Sequence, residues 1–129
     1  MLTVCYSLHE AIDISGLPNE IEEFRQKVLG LLKTNLERIQ IEIDKTVNSN
    51  PWDFAAEGLE VIQNCEAVRV SVSTDRIVKI KGSKENLEKF TSFLEFEESD
   101  ASGTHRHYEH YEGNECITAD SIPLIIEIK

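Results

Sequence analysis

Basic residues are scarce in this chain: its 129 residues carry 13 Lys and Arg against 24 Asp and Glu, a formal charge of -11. Affinity for nucleic acid comes largely from lysine and arginine neutralising phosphates, so this balance argues against a nucleic-acid partner. Long apolar runs are missing as well. Nothing approaches the roughly 20 residues that a membrane-spanning helix needs, and Met1-Leu2-Thr3-Val4-Cys5-Tyr6 lacks the basic-then-apolar pattern of a secretion signal. No membrane partner is expected. The cysteines are few and far apart at Cys5, Cys65 and Cys116; an odd number leaves at least one unpaired, and no CxxC spacing points to zinc or redox chemistry. They read as reduced thiols of a cytoplasmic protein. What is present, 40% apolar and 29% charged residues, is a globular composition. The length suits one domain over residues 1–129, with enough surface to bury a core without staples.

The acidity is local. Residues 68–94 hold six bases against three acids, whereas residues 95–129 hold nine acids against two bases. Residues 46–67 add four acids and no base. Such segregation of charge marks a surface more than a whole-molecule property.

Periodicity gives the elements. Leu2, Val4, Tyr6 and Leu8 alternate with polar residues, which predicts a half-buried strand. After Gly16-Leu17-Pro18, Asn19 is placed to cap a helix with Glu22 at capping-box spacing. Ile21, Phe24, Val28, Leu31 and Leu32 then share one face, so the helix should run to about Lys33. Over residues 35–47, Leu36, Ile39 and Ile43 fit a continuing helix, but the alternation of Ile39, Ile41 and Ile43 favours a strand. A loop follows to Trp52, and a short helix is expected over Asp53–Leu59, ended by Gly58. Val68, Val70 and Val72, the turn Thr74-Asp75, and then Val78 and Ile80 read as a β-hairpin with one packed face and one wet face. Ser83 suits the cap of a helix carrying Leu87, Phe90 and Leu94, and Phe90, Phe93 and Phe96 read as core. Pro123 opens a last strand, Leu124–Ile128. This order predicts an α+β domain: a mainly antiparallel sheet of five or six strands, with two main helices on one face.

The densest chemistry lies in His105-Arg106-His107-Tyr108-Glu109-His110-Tyr111-Glu112, which holds all the histidines except His9. As a strand, its period of two puts His105, His107, Glu109 and Tyr111 on one face, and Arg106, Tyr108, His110 and Glu112 on the other. Three uses fit the first face. Two imidazoles and a carboxylate are ligand types for zinc or a similar ion, which makes His105, His107 and Glu109 a candidate metal site, in a metal-binding protein or a small metal-dependent enzyme. His with Glu also suits a general base with an orienting partner, although no nucleophile, oxyanion hole or phosphate loop accompanies it. A solvated or partner-binding sheet face is the third use, and the one favoured here.

The run HRHYEHYEGNECITADSIPLIIEIK (105–129), preceded by VRVSVSTDRIVKIKGSKENLEKFTSFLEF (68–96), resembles the bacterial polymorphic-toxin immunity proteins of immunity protein family thirty-two. The His-x-His-x-Glu strand, Tyr111, Gly113 and Asp120-Ser121 followed by Pro123-Leu124 carry the resemblance, which spans roughly residues 51–129. PWDFAAEGLEVI (51–62) matches more weakly, and residues 1–50 take no part. It implies an α+β protein of the bacterial cytoplasm that binds and neutralises a cognate toxin protein, often a nuclease, without catalysis or cofactor. On that reading Tyr111, His105, His107 and Glu109 serve chiefly to maintain the fold, through a buried tyrosine hydrogen bond and packed imidazoles. The partner contacts are sought in the acidic stretches: Glu95, Glu97, Glu98 and Asp100, then Glu109, Tyr111, Glu112 and Glu115. Acidity fits such a role, because a nuclease site must be basic to hold phosphates, and opposite charge speeds encounter.

Overall fold

A computed structural model describes residues 1–64 and 66–129. Cys65, read above as a reduced thiol, lies outside the described residues. Cys5 and Cys116 are free, the first buried and the second half-buried.

The chain opens with an antiparallel pair, β1 (Thr3–Ser7) and β2 (Ala11–Gly16), followed by helix α1 (Pro18–Leu32). Strand β3 (Arg38–Ile41) takes the alternating option that its isoleucines favoured. Two strands, β4 (Phe54–Ala55) and β5 (Gly58–Gln63), stand where a short helix was expected. The hairpin β6 (Arg69–Val72) and β7 (Ile77–Gly82) forms as predicted, with Val70 opposite Ile80. Helix α2 (Lys84–Thr91) runs into a 3-10 turn, Ser92–Leu94, and β8 (His105–Tyr108) and β9 (Leu124–Ile128) complete the order.

The class is α+β, and most strand pairs are antiparallel, but the single sheet of five or six strands becomes two among the described residues. One sheet runs β4-β1-β2-β9-β8 and the other β3-β5-β7-β6, with parallel pairing at β2–β9 and β5–β7. Each parallel pair includes one interior strand that the sequence reading did not find, β2 or β5, beside one that it did, β9 or β7. In β5, Leu59, Glu60, Val61 and Ile62 are all buried, so no polar-apolar alternation shows, and Ala55-Ala56-Glu57 just before it imitates a helix. In β2, Ile12 and Ile14 alternate with Asp13 and Ser15 as a strand's faces do, but both polar residues are buried as well.

The cap of helix α1 is Leu17, two residues before the predicted Asn19. Pro18 takes the first helical position, where its missing N–H is not needed, and the Leu17 N–H donates to Glu20 Oε1 at 2.8 Å. Glu22 bonds to Arg25 and Gln26 instead of closing a capping box. Ser83 does cap α2, accepting from the Asn86 N–H at 3.2 Å. The apolar face of α1 is buried as expected: Ile21, Phe24, Val28, Leu31 and Leu32.

The inner faces of both sheets and the two helices share one core. An aromatic chain runs through it. The Phe24 ring of α1 meets Phe90 of α2 edge-on at 6.4 Å, and Phe90 and Phe93 both meet Tyr108 of β8, at 4.9 and 4.8 Å. Edge-to-face aromatic pairs are worth about 0.5–1.5 kcal/mol each beyond their buried area. They fasten β8, an edge strand, to the helical layer.

Candidate functional site

Residues opposite one another in neighbouring strands share a face of the sheet. The register therefore assembles the outer face of the five-stranded sheet from Cys5 of β1, Asp13 and Ser15 of β2, Ile125 and Glu127 of β9, and His105 and His107 of β8. Tyr108 and Leu124 stand on the inner face. The predicted division of the His-Tyr-Glu segment into two faces is correct for the four residues of β8, and the strand ends at Tyr108.

Which face is inside reverses the expectation for the tyrosines. Tyr108 is 3% exposed and packed between Phe90 and Phe93, and burial pushes its phenol above the ordinary range. Tyr111, expected to make a buried hydrogen bond, is 67% exposed. His105 and His107 are exposed as well, with ring centroids 5.1 Å apart, and His105 Nδ1 lies 3.0 Å from the Gly103 carbonyl. The imidazoles meet each other and are not packed into the core. Glu109 lies beyond the strand, and among the described residues no three His, Cys, Asp or Glu side chains are grouped to hold a metal ion.

The centre of the outer face holds a carboxyl pair that the sequence reading passed over. Asp13 is 6% exposed, its Oδ1 has no hydrogen-bond partner among the described residues, and its carboxyl is pushed up to about 7. Desolvation is the main cause; a hydrogen bond to Glu127 and the charge of Glu127 add to it, against the opposing pull of His105 and Lys129. Burial also raises the neighbouring Cys5 thiol, helped by Asp13. The signal in the sequence was a lone acid between two isoleucines, Ile12-Asp13-Ile14, in a stretch otherwise suited to a strand.

The acidic candidates fall into two groups, one at each end of β8. Before it, Glu97 and Glu98 are exposed, whereas Glu95 pairs with Arg25 of α1 at 3.1 Å and Asp100 Oδ2 accepts the Glu97 N–H at 2.8 Å. After it, Glu109, Glu112 and Glu115 are exposed beside Tyr111. Among the described residues Glu97, Glu98, Glu109, Glu112 and Glu115 form no ion pair. Part of the positive surplus of residues 68–94 lies on the outer face of the other sheet, where Arg69 stands opposite Lys81 and Ser71 opposite Lys79. Glu97, Glu98, Glu109 and Glu112 lie in the loops at the two ends of β8, whereas Glu115 precedes Cys116, whose carbonyl accepts from Val68 beside the basic strand β6.

The segment after this loop closes the edge strand of the four-stranded sheet. Val68 bridges to Ile117, the Ile122 N–H donates to the Val70 carbonyl at 3.0 Å, and Ser121 Oγ accepts the Val70 N–H at 2.8 Å. Asp120 and Ser121 of the immunity-like run thereby acquire a structural use, Asp120 through its 3.3 Å pair with Arg69. No family model, curated protein or solved structure matches this chain.

Proposed function

We propose that this chain is a non-catalytic immunity protein that binds a cognate bacterial toxin in the cytoplasm and blocks it by covering its active surface with acidic side chains. The observation that carries this reading is the pair of exposed, unpaired acidic groups on either side of β8, Glu97-Glu98 and Glu109-Glu112-Glu115, with the exposed ring of Tyr111 among them. Unpaired surface carboxylates cost no salt bridge when they meet a basic site, and they raise the rate of encounter with it. An exposed tyrosine adds apolar area and a polar tip, the combination that interface hot spots favour. A toxin acting on nucleic acid supplies the complementary surface, because its site must hold phosphates.

The test is growth rescue. Co-expression with the toxin encoded beside this chain restores growth, and rescue weakens when Glu97, Glu98, Glu109 and Glu112 are changed together to Gln. If the purified protein binds no product of its own locus, the proposal fails.

A further inference from the structure

We infer that the open edge of β8 receives an extended, lysine- or arginine-bearing segment of the partner protein as a sixth strand. The edge is defined by the ladder. The Ile128 N–H donates to the Thr104 carbonyl at 2.8 Å, and Arg106 and Tyr108 stand opposite Ile126 and Leu124. Antiparallel alternation therefore turns the backbone groups of Thr104, Arg106 and Tyr108 toward β9 and those of His105 and His107 outward. Nothing among the described residues pairs with that outward side. The β6 edge of the other sheet, by contrast, is sealed by residues 117–122.

The surrounding charges choose the occupant. Exposed carboxylates flank the strand at both ends, and its one arginine, though exposed, is engaged within the chain: the Arg106 guanidinium sits 4.7 Å from the centre of the Phe96 ring and donates to the Ser92 carbonyl at 3.1 Å. A second copy of this chain is a poor occupant. Antiparallel pairing of two β8 edges brings Glu97-Glu98 of one copy toward Glu109-Glu112 of the other, acid against acid, and like charges across strands repel. A basic strand meets the same flanks with opposite charge. Because only His105 and His107 present outward backbone groups, the backbone pairing is short and the flanking charges fix register and orientation. The inference takes its partner class from the immunity reading, while the edge itself is tested without a toxin.

The probe is an alternating Lys-Thr octapeptide titrated into the full chain and followed by amide shifts and hydrogen exchange. The expected result is slowed exchange at the His105 and His107 amides. N-methylation of alternate peptide residues weakens the effect at least about tenfold by removing the pairing donors, and a Glu-Thr octapeptide has no effect. His107→Pro removes an outward N–H and is expected to abolish binding while thermal melting stays within a few degrees of the parent. The N-methylated peptide decides the question if that variant does not fold. Equal binding of the N-methylated peptide, shifts confined to residues 95–100, or self-association of the chain through β8 overturns the inference. Growth rescue unaffected by these outcomes leaves the immunity reading standing.

Discussion

Asp13 and Glu127 stand on the same outer face of the parallel β2–β9 pair, and Glu127, by hydrogen bonding and by its charge, adds to the desolvation that pushes the Asp13 carboxyl above its ordinary range. Desolvation is the larger cause, because Asp13 is almost cut off from water on that face.

This makes stability depend on pH in a definite direction. A carboxyl raised from 3.8 to about 7 binds a proton in the folded chain that the unfolded chain has released, so its contribution is full below its unfolded value and is lost as pH rises through about 7. Urea unfolding near pH 5.5 and near pH 8.5 should show the protein weaker at the higher pH. Asp13→Asn should remove most of that difference and stabilise the alkaline form by about 2–4 kcal/mol. Glu20, held down by its hydrogen bond from the N-terminal amine, and Asp120, held down chiefly by Thr118, act in the opposite sense: their contribution is lost as pH falls through their lowered values.

The two tyrosines near β8 should separate stability from binding. Tyr108→Ala leaves a cavity between Phe90 and Phe93 and should cost about 3–5 kcal/mol. Tyr111→Ala, at an exposed position, should change unfolding free energy by less than about 0.5 kcal/mol yet weaken toxin binding, as read by calorimetry.

Neutralising Glu97, Glu98, Glu109 and Glu112 should act on association rate. Stopped-flow binding to the toxin should slow, and its dependence on salt should flatten, with dissociation little changed. Equivalent changes at Lys79 and Lys81, on the other sheet, should leave the rate alone.

Chelation discriminates the metal reading of His105, His107 and Glu109. Untagged protein should contain no stoichiometric zinc or iron, and its melting temperature should not move when a strong chelator is added. His105→Ala and His107→Ala should likewise be close to neutral in stability, as both rings are exposed.

Gly82 should resist enlargement. A Cβ there comes within 2.8 Å of Val68 Cγ2 and 3.3 Å of the Val68 Cα, so Gly82→Ala must push β6 and β7 apart where α2 begins. Denaturant unfolding should record a loss of about 1–3 kcal/mol.

The same residues show where a single sequence is legible. The β6–β7 hairpin and α2 could be read because each buries one face and wets the other, which Val70, Val78 and Ile80 against Arg69, Lys79 and Lys81 display directly. Strand β5 is buried on both sides, so it lacks that contrast; β2 shows it in Ile12 and Ile14 against Asp13 and Ser15, but its polar side is buried too, which the alternation does not reveal. At β8 the period of two sorted His105 and His107 from Arg106 and Tyr108. Periodicity assigns residues to faces without saying which face is inside, and only the rings of Phe90 and Phe93 decide it. The acidic candidates were visible as composition. That Glu95 is engaged by Arg25 and Asp100 by its own turn depends on contacts between distant or backbone groups that composition does not encode.

Strand β8 touches its sheet only through β9, and β9 enters by lying parallel to β2, joining residues 124–128 to residues 11–16. Contacts so distant along the chain carry the entropic cost of closing a long loop. The free edge of β8 therefore depends on a sheet that ties the two ends of the chain together. On the immunity reading proposed above, a copy cut between β2 and β9 loses the strand that holds β8 in its sheet, so toxin capture would report an intact chain.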